Sequence, residues 1–120
     1  MQTKKEIGES GEAIAEKFLR ADNYEVLAKN YRTRAGEIDI IAKKNKELAF
    51  VEVKTRTSEV YGLPQESITK RKLIRMVRSA MFYLAENNIK NNSFRIDVIS
   101  VQLEKTGKVA RIEHIKNVYE

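Results

Sequence analysis

Cysteine is absent from this 120-residue sequence, and histidine occurs once, at His114. The absence of thiols excludes disulfides, thiolate zinc sites and cysteine nucleophiles, and a single imidazole cannot form a histidine-based metal cluster. No apolar run approaches the roughly 18 residues that a membrane span requires, and the first ten residues lack the apolar segment of a signal peptide. We therefore expect a cytoplasmic protein without membrane contacts, in which any metal ion is held by oxygen ligands.

Proline is nearly absent as well, since Pro64 is the only one, and there are no repeats, low-complexity tracts or linkers. A chain of 120 residues with 42% hydrophobic content is long enough for one modest core. We therefore predict a single domain that covers residues 1–120.

Hydrophobic periodicity predicts the element order α-β-β-β-α-β-β. Gly8 and Gly11 fall inside the first predicted helix, where small residues allow another element to approach closely. The predicted helices run from about Lys4 to Ala21 and from about Thr69 to Glu86. The first predicted strand runs from Tyr24 to about Asn30, and the next two lie on either side of a Lys43–Lys46 turn. A loop follows Lys54, a fourth strand runs from Phe94 to Leu103, and one more strand or an extended tail follows the Thr106-Gly107 turn.

Basic residues outnumber acidic ones, 23 to 17, which gives a net charge of +6. Such an excess on a small domain favours contact with nucleic acid, although many basic proteins are simply soluble and cationic. The second helix concentrates this charge at its start, and its apolar stripe is predicted at Leu73, Val77, Ala80, Met81 and Leu84. Away from that stripe, we predict a phosphate-binding surface made by Lys70, Arg71, Lys72, Arg75 and Arg78.

Two acidic residues, Asp39 and Glu52, stand in the middle of the strands of an apolar hairpin, Gly36–Lys54. If this hairpin closes with Ala42 opposite Glu47, Asp39 faces Phe50 and Glu52 lies diagonally beside it on the same surface. An unpaired carboxylate among such neighbours would cost several kcal/mol. A cation is therefore expected next to Asp39 and Glu52.

Two kinds of cation fit this position. One is a salt bridge from Lys54 or a nearby arginine. The other is a hard divalent ion bound by Asp39 and Glu52, with Lys54 on the same strand face to stabilise charge at a phosphate. The Glu-x-Lys tripeptide alone is a weak motif in a chain rich in both residues. Its position at the end of a β-branched strand, after a strand that carries an aspartate, favours the metal site.

Four blocks in this order, "GE.IAEKFL", "NYRTRAGEIDIIA", "FVEVKTR" and "FRIDVISV", resemble the YraN-like family of small bacterial proteins over nearly the whole chain. The element order, with Asp39 on the second strand and "EVK" on the third, also resembles the PD-(D/E)xK phosphodiesterases. The resemblance implies an α/β, restriction-endonuclease-like fold with a central mixed sheet flanked by helices. Ile38 departs from the superfamily pattern, which has proline before the aspartate.

The resemblance implies a Mg²⁺- or Mn²⁺-dependent endonuclease, for which DNA is favoured over RNA as the substrate although the sequence leaves this choice open. Asp39 and Glu52 would then be metal ligands and Lys54 the catalytic lysine. The Holliday-junction resolvases of this superfamily carry an extra acid on the first helix, which corresponds to Glu12, here either a supporting metal ligand or a solvated helix acid. The sequence leaves open whether branched DNA is the substrate and whether two chains pair as a homodimer.

Two other functions remain open. One is a nucleic-acid-binding module that keeps the fold without turnover, and the other is an interaction domain whose basic helix meets an acidic partner. Several single residues also have two interpretations. Gln65 is an exposed loop amide or lies near the site, Tyr31 and Tyr61 pack or stack on bases, and Glu37 is a residue at the rim of the site. Asp97 is expected to pair with Arg95.

Overall fold

The computed structural model describes residues 3–57, 68–90 and 93–119. The predictions for Tyr61 and Gln65 lie outside these residues. The elements are α1 (Lys4–Ala21), β1 (Glu25–Thr33), β2 (Gly36–Lys44), β3 (Glu47–Thr57), α2 (Lys70–Glu86), β4 (Phe94–Leu103) and β5 (Val109–Ile115).

Five strands form one mixed sheet in the order β1-β2-β3-β4-β5. Strands β1, β2 and β3 are successive antiparallel neighbours, β4 lies parallel to β3, and β5 is antiparallel to β4. A parallel pair needs a crossover connection, and α2 lies within the one between β3 and β4. The protein therefore has the restriction-endonuclease-like α/β fold. No helix within the described ranges is long and apolar enough to cross a membrane.

The two helices cover opposite faces of the sheet. On one face, Ala15 and Leu19 of α1 belong to a core cluster with Val51 and Ile99. On the other face, Met76, Ala80 and Leu84 of α2 belong to a second core cluster. Ile41, Phe50 and Ile96 of the sheet belong to the same cluster. The central strands are consequently buried on both sides, which explains their nearly continuous apolar sequences.

Helix α1 approaches the sheet closely at one glycine. A Cβ atom at Gly11 would lie 1.8 Å from Oγ1 of Thr55 on β3, so only glycine fits at this position. The close approach predicted for Gly11 is therefore confirmed. The same prediction is wrong for Gly8, because nothing lies within 4 Å of a Cβ atom placed there.

The β2–β3 turn is shorter than the sequence suggested. Asn45 and Lys46 form it alone, with φ angles of 51° and 66°, as a tight two-residue hairpin turn requires. Ala42 therefore pairs with Ala49, and the predicted pairing of Ala42 with Glu47 is wrong. The strands around it are also longer than predicted, since β1 continues to Thr33 and β3 to Thr57.

The apolar stripe of α2 is rotated from its predicted position. Met76 and Ser79 are buried, whereas Met81 is 57% exposed and does not face the core. Leu73 and Val77 are only partly buried. The predicted stripe was correct at Ala80 and Leu84, and the rotation brings the face that begins at Lys72 towards the sheet.

Candidate active site

The candidate active site lies where β2 and β3 separate. Their antiparallel pairing ends at Ile40 and Val51, and the next pair in this register would be Asp39 and Glu52. Beyond that point β3 continues along β4 as far as Thr57. The side chain of Asp39 spans the opening, because its Oδ2 accepts a hydrogen bond of 2.8 Å from the backbone N–H of Val53.

A local irregularity in β1 and β2 accompanies this separation. Ile38 packs in the cluster under α2, whereas Ile40 packs in the cluster under α1, although residues two apart on a regular strand share a face. Asn30, which lies between the partners of Ile40 and Ile38 on β1, has a left-handed φ of 51°. The usual alternation of side chains between the two faces of β2 is therefore interrupted at Asp39, where β2 separates from β3.

Asp39 is held in an environment that favours its protonated form. Burial raises its pKa first, and the nearby charge of Glu52 raises it further, to about 8. The hydrogen bond from Val53 opposes these effects without cancelling them. At neutral pH this carboxyl group therefore tends to keep its proton unless a cation arrives.

Glu52 is only 3% exposed, yet it is paired with two lysines. Nζ of Lys72 lies 2.5 Å from its Oε2, and Nζ of Lys54 lies 3.8 Å from the same oxygen. The site thus combines Glu52, whose charge is balanced by lysines, with Asp39, whose pKa is raised by burial and by the charge of Glu52.

Lys72 was predicted as a phosphate-binding residue of the helix surface, and its place beside Glu52 was not foreseen. The sequence held one signal for it. Lys72, Met76 and Ala80 are spaced by four residues, so they share the face of α2 that turns towards the sheet. Thr69 caps the helix and its Oγ1 accepts the N–H of Lys72 at 3.1 Å, which fixes the first turn.

Glu12 lies on α1 near the carboxylate pair. Burial raises its pKa, and the charges of Glu37 and Glu52 raise it further. Within the described ranges, however, no group of three or more His, Cys, Asp or Glu side chains is arranged to hold one metal ion. Glu12 as a third metal ligand therefore stays a prediction.

A cleft of about 520 Å³ adjoins the site between the first turns of α1 and the end of β3. Three basic side chains, Lys4, Lys54 and Arg56, line it together with Glu12. Gly8 also lies on its wall and has open space where a side chain would be. The sequence does not point to Lys4 and Arg56, because nothing in its local pattern links the start of α1 to the end of β3.

The other predicted phosphate-binding residues, Lys70, Arg71, Arg75 and Arg78, are exposed on α2. Arg75 lies at the opening of the strands, where a Cβ atom on Gly36 would be 3.4 Å from its Cβ. Arg75, Lys72 and Glu37 line a small hollow there. This places Glu37 at the rim of the site, as expected, and makes the basic face of α2 continuous with the site.

Tyr31 serves packing in this structure. Its hydroxyl donates a hydrogen bond to Glu86, and its ring meets that of Tyr83 edge to face at 5.4 Å. Burial and the contact with Glu86 raise its pKa to about 12. These contacts favour the packing interpretation over base stacking.

Asp97 is fully buried and forms a separate polar cluster. Arg95 donates two hydrogen bonds to its carboxylate at 2.9 and 3.2 Å, His114 Nε2 lies 2.8 Å from Oδ2, and the N–H of Asn117 donates to Oδ1 at 2.9 Å. Burial alone would raise the pKa of Asp97, but these hydrogen bonds lower it below its ordinary value. The predicted pairing of Asp97 with Arg95 is therefore confirmed, and the cluster is structural.

Residues 11–101 match the model of the family described as "Uncharacterised protein family UPF0102". The chain belongs to this family. It is 41% identical to a UPF0102 protein of Moorella thermoacetica over 117 residues, which cover 98% of both chains. It is 42% identical to a UPF0102 protein of Desulfosudis oleivorans over 120 residues, which cover 100% of this chain and 94% of that protein.

UPF0102 is the YraN-like family, so the resemblance carried by the four sequence blocks is confirmed. The matched region includes the whole carboxylate and lysine cluster: Glu12, Asp39, Glu52, Lys54 and Lys72. The family's description names no reaction, and the chemistry must be argued from these side chains.

Proposed function

We propose that this protein is a nuclease that uses Mg²⁺ or Mn²⁺ to hydrolyse phosphodiester bonds in DNA. The observation that carries the proposal is the meeting of Asp39, Glu52 and Lys54 where β2 and β3 separate. Carboxylates beside a lysine, next to a cleft lined by basic side chains, suit a polyanionic substrate.

The donor set fits a hard divalent ion. Mg²⁺ commonly binds through one or two carboxylates and keeps several waters, so a full protein cage is not required. Burial and the charge of Glu52 raise the pKa of Asp39, and a cation bound to both carboxylates would favour the ionised form of Asp39. When bound, such an ion polarises a phosphoryl oxygen and lowers the pKa of a bound water.

The side chains of this chain would divide the remaining work. Val53 N–H orients the carboxylate of Asp39 towards Glu52. Lys54 is 37% exposed at the mouth of the site, where its ammonium can stabilise negative charge that develops on the phosphate. Burial of Glu52 strengthens these electrostatic interactions because little water screens them.

The substrate would contact two basic surfaces. One is the exposed face of α2 with Lys70, Arg71, Arg75 and Arg78, and the other is the cleft with Lys4 and Arg56. The resemblance to Holliday-junction resolvases makes branched DNA the first substrate to test. Cutting two strands at a junction would need two active sites, and hence a homodimer.

A non-catalytic nucleic-acid-binding module is the second candidate. The pairing of Glu52 with Lys72 favours it, since a carboxylate neutralised by a lysine needs no metal. Asp39 argues against it, because a carboxyl group whose pKa is raised by burial and by the charge of Glu52 would be of no use in a protein that only binds nucleic acid.

The two functions are separated by incubating the protein with linear, nicked, flapped and four-way-junction DNA, with and without Mg²⁺ or Mn²⁺. We expect metal-dependent cleavage by the parent protein and none by Asp39→Asn or Glu52→Gln. A Glu37→Gln variant, which removes an exposed acid at the rim, is the matched control and should cleave normally. Binding of DNA without cleavage under all conditions would favour the binding module.

A further inference from the structure

The ion pair between Lys72 and Glu52 occupies the position where a metal ion would bind. Nζ of Lys72 is 2.5 Å from Oε2 of Glu52, so the ammonium and the carboxylate are in direct contact. Lys54, on the same strand as Glu52, is more distant at 3.8 Å. Lys72 is therefore the principal counter-ion of this buried carboxylate.

The position of Lys72 is set by the packing of α2. The N-cap Thr69 anchors the first turn, and Met76, one turn further on, is 1% exposed in the core. The backbone of Lys72 thus lies between the capped start of α2 and a residue that is packed in the core. Its side chain, by contrast, is 41% exposed, so the ammonium can leave Glu52 for solvent without repacking the helix.

A lysine ammonium and a divalent cation cannot occupy this site together at low cost. Both carry positive charge, and their repulsion at contact distance in a partly buried site is large. One carboxylate oxygen of Glu52 cannot interact with both cations as strongly as it would with either alone. Metal binding must therefore break the ion pair or weaken it.

We infer that Lys72 is the resident counter-ion of Glu52 and that a divalent cation has to displace it before it can bind to Asp39 and Glu52. Lys72 is thus a positioning residue that holds the resting site neutral and lowers its affinity for metal. The inference rests on the proposed function, because it concerns the same metal site.

The test measures Mn²⁺ affinity by calorimetric titration in the absence of DNA. Lys72→Met keeps the length and apolar stem of the side chain and removes its charge. We expect it to bind Mn²⁺ more tightly than the parent protein, by about fivefold or more. Lys70→Met removes an exposed charge from the same helical turn and should leave the affinity unchanged. General damage to the fold would weaken metal binding, so it cannot produce this result.

Each outcome decides a separate question. Mn²⁺ binding by Lys72→Met alone, with none by the parent, would also support the inference. Equal or weaker binding by Lys72→Met than by the parent would overturn it while leaving the proposed metal site intact. No binding by either protein would overturn both the inference and the metal dependence of the proposed function.

A second variant covers the case in which Lys72→Met does not fold. Lys72→Arg keeps the positive charge and can donate two hydrogen bonds to the carboxylate. It should fold like the parent and bind Mn²⁺ more weakly, because the guanidinium is a stronger competitor for Glu52. Affinity equal to or greater than that of the parent would contradict the inference.

Discussion

Val53 N–H donates a 2.8 Å hydrogen bond to Asp39 across the opening between β2 and β3. The aspartate thereby replaces a strand partner for this N–H, which would otherwise lack an acceptor on that side. The bond orients the carboxyl group but brings no positive charge. Asp39 is thus fixed beside Glu52 at an electrostatic cost, and several measurable effects follow from that cost.

Replacing Asp39 by Asn should change how the stability of the metal-free protein depends on pH. The pKa of Asp39 is about 8 in the folded state, against an ordinary value of 3.8. Between these values the folded protein holds a proton that the unfolded chain has lost, so the contribution of Asp39 to stability is complete below about pH 4 and declines as pH rises towards 8. Asp39→Asn, which can still accept the Val53 N–H, should melt about 5 °C higher than the parent near pH 8.5. Identical melting curves for both proteins across this range would contradict the pKa assignment.

Divalent metal should stabilise the parent protein, and more so at higher pH. Because Asp39 must lose its proton to become a ligand, millimolar Mn²⁺ should raise the melting temperature more near pH 8 than near pH 6. Asp39→Asn and Glu52→Gln should both remove this gain, whereas the rim variant Glu37→Gln should retain it. Scanning calorimetry with Mn²⁺ and with a chelator measures the difference. If Mn²⁺ leaves the melting temperature of the parent protein unchanged at both pH values, the proposed metal site is wrong.

Lys54→Ala should separate catalysis from structure. Since Lys54 is partly exposed and 3.8 Å from Glu52, its removal should cost less than about 1 kcal/mol of stability. Its proposed effect is on charge that develops at the phosphate, so cleavage should fall on the order of a hundredfold while DNA binding stays near normal. Urea unfolding and cleavage assays on the same preparation test both parts. A loss of roughly 3–5 kcal/mol would instead make Lys54 a structural ion-pair partner.

The exposed arginines of α2 should contribute to DNA affinity through phosphate contacts. Replacing Arg71, Arg75 and Arg78 together by Gln should weaken binding and reduce the slope of log affinity against log salt by up to about three units. The double variant Lys4→Gln and Arg56→Gln tests the cleft in the same way, with an expected reduction of up to about two units. Fluorescence anisotropy over a salt series measures both slopes. An unchanged slope for either variant would mean that the substituted residues do not contact DNA phosphates.

Removal of Asp97 should destabilise the fold without involving the active site. Asp97→Ala would leave Arg95 and His114 without their shared buried partner, at a cost of roughly 3–5 kcal/mol in urea unfolding. The depressed pKa of Asp97 has the opposite consequence to that of Asp39: its stabilisation is present above the ordinary aspartate pKa and is lost as pH falls through the lower folded value. Glu47→Ala removes a more exposed partner of Arg95 and should cost about 1 kcal/mol or less.

The elements that were predicted accurately are those with local signals. Helix α1 runs from Lys4 to Ala21 as expected, because Thr3 and Glu6 form a capping box at its start and its apolar residues recur at helical spacing. Strand β4 likewise runs from Phe94 to Leu103 as expected. The β2–β3 register was missed, because a two-residue turn with left-handed Asn45 and Lys46 differs only slightly in sequence from a longer one.

The sequence alone determined the family and the order of the elements. It also determined that Asp39 and Glu52 meet, because two strands joined by a short turn must lie side by side. It could not determine that the strands separate at this pair or that Lys72 supplies its counter-ion. The place of Lys72 depends on the packing of α2 against the sheet, and the separation accompanies an irregularity in the pairing of β1 with β2. Both arise from contacts between residues distant along the chain. The tertiary structure also decided the protonation of Asp39, because its raised pKa results mainly from burial that only the assembled fold creates.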